Sequence, residues 1–397
     1  MTGHLIKLAW RRKGSSALLL VELLASFLVV FFVATSVVYL ALCWRLPLGY
    51  DWRDVWSIEV AGVESNDDTW SPEEVKGYDR LLREGAAIDG VEAIAGSMNA
   101  PYDGYSSSGN RTIGGREVSM EYAEFTDRAR EVLRLDVLKG RWFDPTDDAL
   151  PWTPLVVDEQ FAREAFGDDD PIGKTFGRPP DDPDERIVGV VRDYRKGGEL
   201  SIPVGMVIRR TPVGRLDVRP PRILLVRAVP GVDAGFEERL VKGLHAIMPG
   251  WTFEPRPLED LRAESFRAHL VALTLGATIA GFLLLMVALG LIGVMWQNVT
   301  RRTREFGSRR AAGASQGDIR RQVIMEVVLT AAFALGIGAL LAVQVPLLGL
   351  VPFVGTGTIA AGAIVASVLV LATVLAAGLY PSVLATRIHP ADALRDE

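Results

Sequence analysis

VTRRTREFGSRRAAGASQGDIRR, residues 299–321, holds seven arginines (301, 302, 304, 309, 310, 320 and 321) against two acids, Glu305 and Asp318. It lies between two long apolar runs, so both of its ends are fixed to a membrane. Phe306, Ala311 and Ala314 recur at roughly helical spacing, with arginines between them, and Gly313 is placed to break that helix. Ser315 with Asp318 three residues on resembles a capping box opening another helix. A short basic helix held at a membrane surface either lies on anionic headgroups or docks into another protein. Choosing between these readings decides what the chain does.

Outward from this stretch the chain divides into membrane and non-membrane parts. Residues 1–16 carry Lys7, Arg11, Arg12 and Lys13 and no acid, and residues 17–43 are almost wholly apolar. A helix of that length reaches roughly 40 Å, enough to span with tilt. A signal peptide also pairs a basic start with an apolar core, but this core is longer than a typical h-region and Ala41-Leu42-Cys43 is a weak cleavage site. The reading is an uncleaved anchor with a cytoplasmic N-terminus. Further spans follow at 269–296, at 323–350 (interrupted by Gly336, Gly338 and Pro346) and at 358–381. They are joined by the arginine-rich segment 297–322 and a short outer turn at 351–357, and 382–397 is a tail. Four spans put both termini and the arginines on the cytoplasmic side. Glu22 and Glu326 lie within or beside spans; they either snorkel, join spans one and three, or meet the arginines.

Residues 44–268 form a separate extracytoplasmic domain. Only seven of the 49 acids lie outside it, against thirteen of the 43 basic residues, so the domain is acidic and gives no support to nucleic-acid binding. It reads as mixed α/β. Strands are expected at 54–60, 91–98, 117–125, 154–157, 186–194, 204–210, 223–229 and 251–257. Helices are expected from a Ser71-Pro72-Glu73-Glu74 capping box to Glu84, from a Thr126 cap to Arg134, at 159–166 and at 233–248. Gly140 to Asp144 turns, and the Pro/Asp-rich loop 177–184 is expected to be exposed. The lone Cys43 cannot form an internal disulfide, and the scattered histidines (4, 245, 269, 389) suggest no metal site. Gly167 to Thr175 resembles a phosphate-binding loop, but five residues separate its glycines where four are needed, and three aspartates would repel phosphate. With no other Walker-like stretch, the chain is expected to bind no cofactor and to hydrolyse no ATP itself.

Arg301 to Gly307 and Arg309 to Ser315 resemble the "ERTREIG-RRALGAS" loop of MacB/FtsX-like ABC transporter permeases. Gly378-Leu379-Tyr380-Pro381 and Ile388 to Arg395 resemble that family's ending. Gly140-Arg141-Trp142-Phe143, Asp170-Pro171-Ile172-Gly173-Lys174 and Val188 to Asp193 resemble its periplasmic core domain. Ser308 and Ala312 depart from the family pattern, and the Ser/Gly-rich stretch 99–116 matches nothing in it.

The resemblance implies a membrane protein with one span, a large mixed α/β domain and three more spans. It implies a permease subunit that pairs with a second permease, identical or different, and engages a separate cytoplasmic ATPase holding the Mg-ATP. Closure of the ATPases would move the outer domains by mechanotransmission, exporting a drug, peptide or lipid-linked cargo, with a periplasmic adaptor as a further partner. Arg304, Glu305, Phe306, Gly307, Arg309, Arg310 and Gly313 are the implied ATPase contact, and the alternative is a basic loop lying on membrane lipid. A second functional reading is an FtsX-like transducer controlling an extracytoplasmic cell-wall hydrolase; the long outer domain favours transport. An extracellular enzyme would have to rest on His245 or on carboxylates with no defined pairing.

Overall fold

The computed structural model describes residues 15–61, 71–175, 185–215, 221–302, 305, 308–309, 312–351 and 354–386. The loop expected at 177–184 and the tail motif from Ile388 lie outside the described residues. The chain forms two compact units, Cys43–His269 and the helices on either side of it in sequence.

The first unit is built on a ten-stranded mixed sheet. Its strands are β1 (Val55–Ala61), β2 (Val91–Ser97), β3 (Ser108–Ile113), β4 (Arg116–Phe125), β5 (Val137–Gly140), β6 (Thr153–Asp158), β7 (Glu185–Val191), β8 (Gly205–Arg210), β9 (Ile223–Ala228) and β10 (Thr252–Pro257). They run in the order β10-β1-β9-β2-β4-β8-β6-β7-β5, with β3 paired to β4. Among the described strand pairs, β4/β8 and β6/β7 are parallel and the others antiparallel. The edge strand β10 carries Pro255 and Pro257, which cannot donate to a further strand.

Among the described residues four short helices cover the sheet. Helix α2 (Pro72–Gly85) starts at the expected capping box, with Glu74 N–H donating to Ser71 Oγ at 3.2 Å and Ser71 N–H donating to Glu74 at 2.6 Å. Such a cap contributes about 1 kcal/mol. Val75, Tyr78 and Leu81 of α2 pack with Phe236, Leu240 and Leu244 of α5 (Phe236–Ile247) over β1, β9 and β2. Helix α4 (Glu159–Phe166) buries Phe161, Ala162 and Ala165 against β6, β7 and β8. Helix α3 is only Ala129–Leu133. Thr126 does not cap it: its hydroxyl accepts from Gly96 N–H at 2.8 Å, and Arg128 takes the cap position, its guanidinium paired with Glu131 rather than capping the backbone. A loop-to-sheet tie therefore outcompetes the local cap.

The motifs at 140–143, 170–174 and 188–193 converge. A Cβ at Gly140 would overlap Val188 O, and one at Gly189 would overlap Arg141 O. Gly173 N–H donates to Ile187 O at 2.8 Å, and Ile187 N–H to Lys174 O at 3.1 Å. Lys174 is paired with Asp169 at 2.8 Å and lies 4.8 Å from the Phe166 ring. The turn that resembles a phosphate loop is thus spent on joining strand to turn.

Among the described residues four helices are long and apolar enough to cross a membrane, α1 (Ser15–Cys43), α6 (Leu258–Arg301), α7 (Gln316–Leu347) and α8 (Thr356–Thr386), and the start of α6, up to His269, belongs to the first unit. Helix α6 starts eleven residues before the span expected at 269, directly after Pro257. Helices α7 and α8 pack on one another. Helix α1 meets glycines on each of the other three. Val33 lies at Gly276 and Glu22 at Gly290 of α6, Phe27 at Gly338 of α7, and Thr35 at Gly362 of α8. Lipid supplies no hydrophobic drive for helix association, so close backbone approach at small residues supplies it instead.

Candidate functional site: the arginine-rich connection

The segment between α6 and α7 is a short, doubly braced connection. Its middle turn ends at Gly313, whose φ of +96° is open to glycine. Ala312 N–H donates to Ser308 O at 3.0 Å and Ala314 N–H to Arg309 O at 3.0 Å, the latter a bond of the kind that closes a Schellman C-cap. Ser315 then opens α7 through the expected capping box, accepting from Asp318 N–H at 3.2 Å. The turn between the helices is therefore fixed by backbone chemistry on both sides of residues 313–315.

Side chains fasten it to α7. Arg302 donates through Nη1 to Glu326 at 2.9 Å, and its Nε lies 3.9 Å from Glu305. Glu305 takes Arg309 Nη2 at 2.7 Å, and Arg309 Nη1 donates to Gln322. Gln322 and Glu326 are four residues apart, hence on one face of α7, and each holds an arginine of the connection. The Arg302 and Glu326 side chains are 18% and 35% exposed, so this pair is screened less than a surface bridge. Arg301, Arg320 and Arg321 are exposed. Gly317, Arg320, Arg321, Ile324, Met325 and Val328 form one stripe along α7, basic at its start and apolar beyond.

The structure brings Glu305, Arg309 and Gly313 into this turn; Arg304, Phe306, Gly307 and Arg310 lie outside the described residues. Glu326 meets an arginine, one of the three expected roles. Glu22 does not join it, since its carboxylate lies against Gly290 of α6 and makes no hydrogen bond among the described residues. Arg302 and Gln322 were not singled out by sequence reasoning. Their signal was available as positions 302 and 326 flanking a turn of known cap chemistry, but sequence alone does not choose among seven arginines. Among the described residues no cluster of three metal-ligating side chains exists. What the described residues build here is a charged turn, with Arg302 and Arg309 held by Glu326, Glu305 and Gln322.

Breaking the Arg302–Glu326 pair by Glu326→Arg is expected to cost about 1–2 kcal/mol, between the surface and buried limits. The swap Arg302→Glu with Glu326→Arg should recover most of it. Thermal unfolding in detergent reads both, and a swap no more stable than the single variants would remove the pair from the bracing.

Two family models match the chain, and they fall on its two parts. Residues 51–242 match the MacB-like periplasmic core domain. Residues 277–390 match the FtsX-like permease C-terminal domain. The chain belongs to the MacB/FtsX-like ABC transporter permeases. The permease is 28% identical over 238 residues to "Macrolide export ATP-binding/permease protein MacB 1/2" of Paracoccus denitrificans, covering 58% of this chain and 34% of that one. It is 24% identical over 348 residues to "Uncharacterized ABC transporter permease YknZ" of Bacillus subtilis, covering 83% of this chain and 80% of that one. It is 24% identical over 355 residues to "Pyoverdine export ATP-binding/permease protein PvdT" of Pseudomonas aeruginosa, covering 85% and 48%. The permease thus spans about a third of the length of the macrolide-export relative and most of that of YknZ.

Proposed function

We propose that this chain is the permease subunit of an ABC exporter whose ATP is bound and hydrolysed by a separate cytoplasmic ATPase. The arginine-rich connection is the docking element, with Arg304, Glu305, Phe306, Gly307, Arg309, Arg310 and Gly313 at the contact. In this reading both termini and the connection are cytoplasmic, and residues 44–268 stand outside the inner membrane. Two permease subunits pair, and closure of two ATPases moves the outer domains. The relatives' printed cargoes differ, a macrolide in one and pyoverdine in another, so the cargo here is left at the level of an exported drug, peptide or lipid-linked molecule.

The observation that carries this reading is the double bracing of the connection. A loop lying passively on lipid needs no Arg302–Glu326 pair, no Arg309–Gln322 bond and no paired C-cap and N-cap. A turn that must pass a push into α6 and α7 needs all of them. Beside that turn, α7 presents a stripe that is basic at Arg320 and Arg321 and apolar at Ile324, Met325 and Val328.

The test is purification of the tagged full chain from its native membranes in mild detergent. An ABC ATPase with ATP-hydrolysing activity is expected to come with it. Arg309→Glu with Arg310→Glu is expected to cut its recovery roughly a hundredfold, about 3 kcal/mol of lost charge pairing, while the unfolding temperature of the permease falls only by the few °C that loss of the exposed Arg309–Glu305 pair costs. Recovery of the ATPase undiminished with the double variant overturns the docking role.

A further inference from the structure

The α/β unit is entered by the chain at Cys43–Leu48 and left along the start of α6. Both crossings meet one loop, Arg195–Ser201, which follows β7. Arg195 is 5% exposed and folds this loop around itself, donating through Nη2 to Glu199 O and Ser201 O, each at 2.8 Å. Through Nη1 it donates to Cys43 O at 2.8 Å, and its N–H donates to Leu48 O at 3.0 Å. At Gly49 the incoming chain lies so close to Asp193 that a Cβ would overlap the Asp193 carbonyl.

The outgoing helix is held by the same loop. Glu199 accepts from Arg262 Nε at 2.7 Å and from the Tyr102 hydroxyl at 3.0 Å. Arg262 lies between the rings of Trp52 and Phe266, at 4.6 and 4.7 Å, and Phe266 meets the edge of Trp44 at 5.5 Å. Leu258 and Leu261 of the same turns are buried in the sheet core. Tyr102 N–H donates to Lys196 O at 2.9 Å, and Lys196 pairs with Asp103 at 3.5 Å. Burial pushes the Tyr102 phenol up, so it stays a donor toward Glu199. The stretch 99–116, unassigned from sequence, thus divides: residues 100–105 wall this loop, and 108–113 form β3.

We infer that the Arg195–Ser201 loop is a clasp that locks the first turns of α6 to the sheet, with Glu199 and Arg195 as positioning residues, so that displacement of α6 moves the α/β unit as a body. A helix anchored by its apolar residues alone slides or frays under axial load; a partly buried ion pair clamped between rings resists both. Because Arg195 closes the loop that presents Glu199, the hold on α6 and the hold on the incoming segment are one structure. The mechanical part of this inference rests on the proposed exporter reading; the clasp itself does not.

The test uses the full chain in lipid nanodiscs and hydrogen exchange read by mass spectrometry. Glu199→Gln is expected to speed amide exchange over 258–267 roughly tenfold, a fold-change equivalent to one opened ion pair, with β9 unaffected. Glu264→Gln, which breaks the exposed Arg256–Glu264 pair on the same turns, is the control and is expected to leave that exchange unchanged. Unchanged exchange in Glu199→Gln, or an equal rise in Glu264→Gln, overturns the clasp whatever the chain transports. With the co-purified ATPase present, Glu199→Gln is expected to keep ATPase binding and hydrolysis but to abolish the ATP-dependent change in exchange within the α/β unit. An undiminished ATP-dependent change overturns the mechanical role. Absence of any ATPase with the wild-type chain counts against the exporter reading, and the first arm still decides the clasp.

Discussion

Arg227→Met is expected to lower the unfolding temperature of the α/β unit by about 10–20 °C. Arg227 lies on β9 between β1 and β2 and is fully buried. Its guanidinium donates to Val132 O at 2.6 Å, Arg53 O at 2.9 Å and Asp51 O at 2.7 Å. Val132 lies at the end of α3, whose orphan carbonyls favour a cation there. Methionine fills a similar length, so lost volume is not the main effect. What it leaves is three carbonyls without their donor, each about 1–3 kcal/mol when buried. Asp51 is not stranded, because Arg134 holds it at 3.1 Å. Arg227→Lys should fall between the two, since an ammonium cannot span three carbonyls in a fork. Seven of the nine tryptophans lie in residues 43–269, so tryptophan emission of the full chain in detergent follows this unit. A Met variant melting within about 3 °C of wild type would show that water satisfies the carbonyls.

That arginine marks the limit of what sequence displays. Spans, capping boxes and strands such as 223–228 were legible because long apolar runs, Ser-x-x-Glu spacing and β-branched alternation act locally. Within the same strand, Arg227 reads as a solvent-facing residue, and only three carbonyls converging from two distant segments, 51–53 and the turn at Val132, make it internal. Strand β3, Ser-Gly-Asn-Arg-Thr-Ile, was illegible because it is held by pairing with β4 while most of its side chains stay out of the core. The early start of α6 was hidden by Glu259, Asp260, Arg262 and Glu264, which read as a loop before a span. At the connection the cap residues could be read directly, whereas the choice of Arg302 for Glu326 depended on how α6 and α7 pack. In each case what escaped was a long-range partner, and what was seen was a local rule.

Two glycines of α7 two residues apart are expected to behave oppositely. A Cβ at Gly338 would overlap the ring of Phe27 on α1, which is fully buried and stacked on Phe31 with ring centroids 6.1 Å apart. Nothing lies within 4 Å of a Cβ at Gly336. Gly338→Val should therefore push α1 off its seat, costing about 3 kcal/mol or more once overpacking has displaced a ring with nowhere to turn. Gly336→Ala should be neutral or stabilising by up to about 1 kcal/mol, from helix propensity alone. Phe27→Ala alone should also destabilise, by leaving a void. Combined with Gly338→Val it should recover about 1–3 kcal/mol of the summed loss, because each change makes room for the other. Denaturant titration in detergent micelles measures all four. Additive losses would mean that Phe27 does not rest in the Gly338 gap, and equal losses at 336 and 338 would mean that α7 suffers from any added bulk rather than from the loss of α1. Since α1 also meets glycines of α6 and α8, unseating it is expected to loosen the helices that flank the arginine-rich connection, so Gly338→Val should weaken ATPase recovery as well, while Gly336→Ala leaves it unchanged.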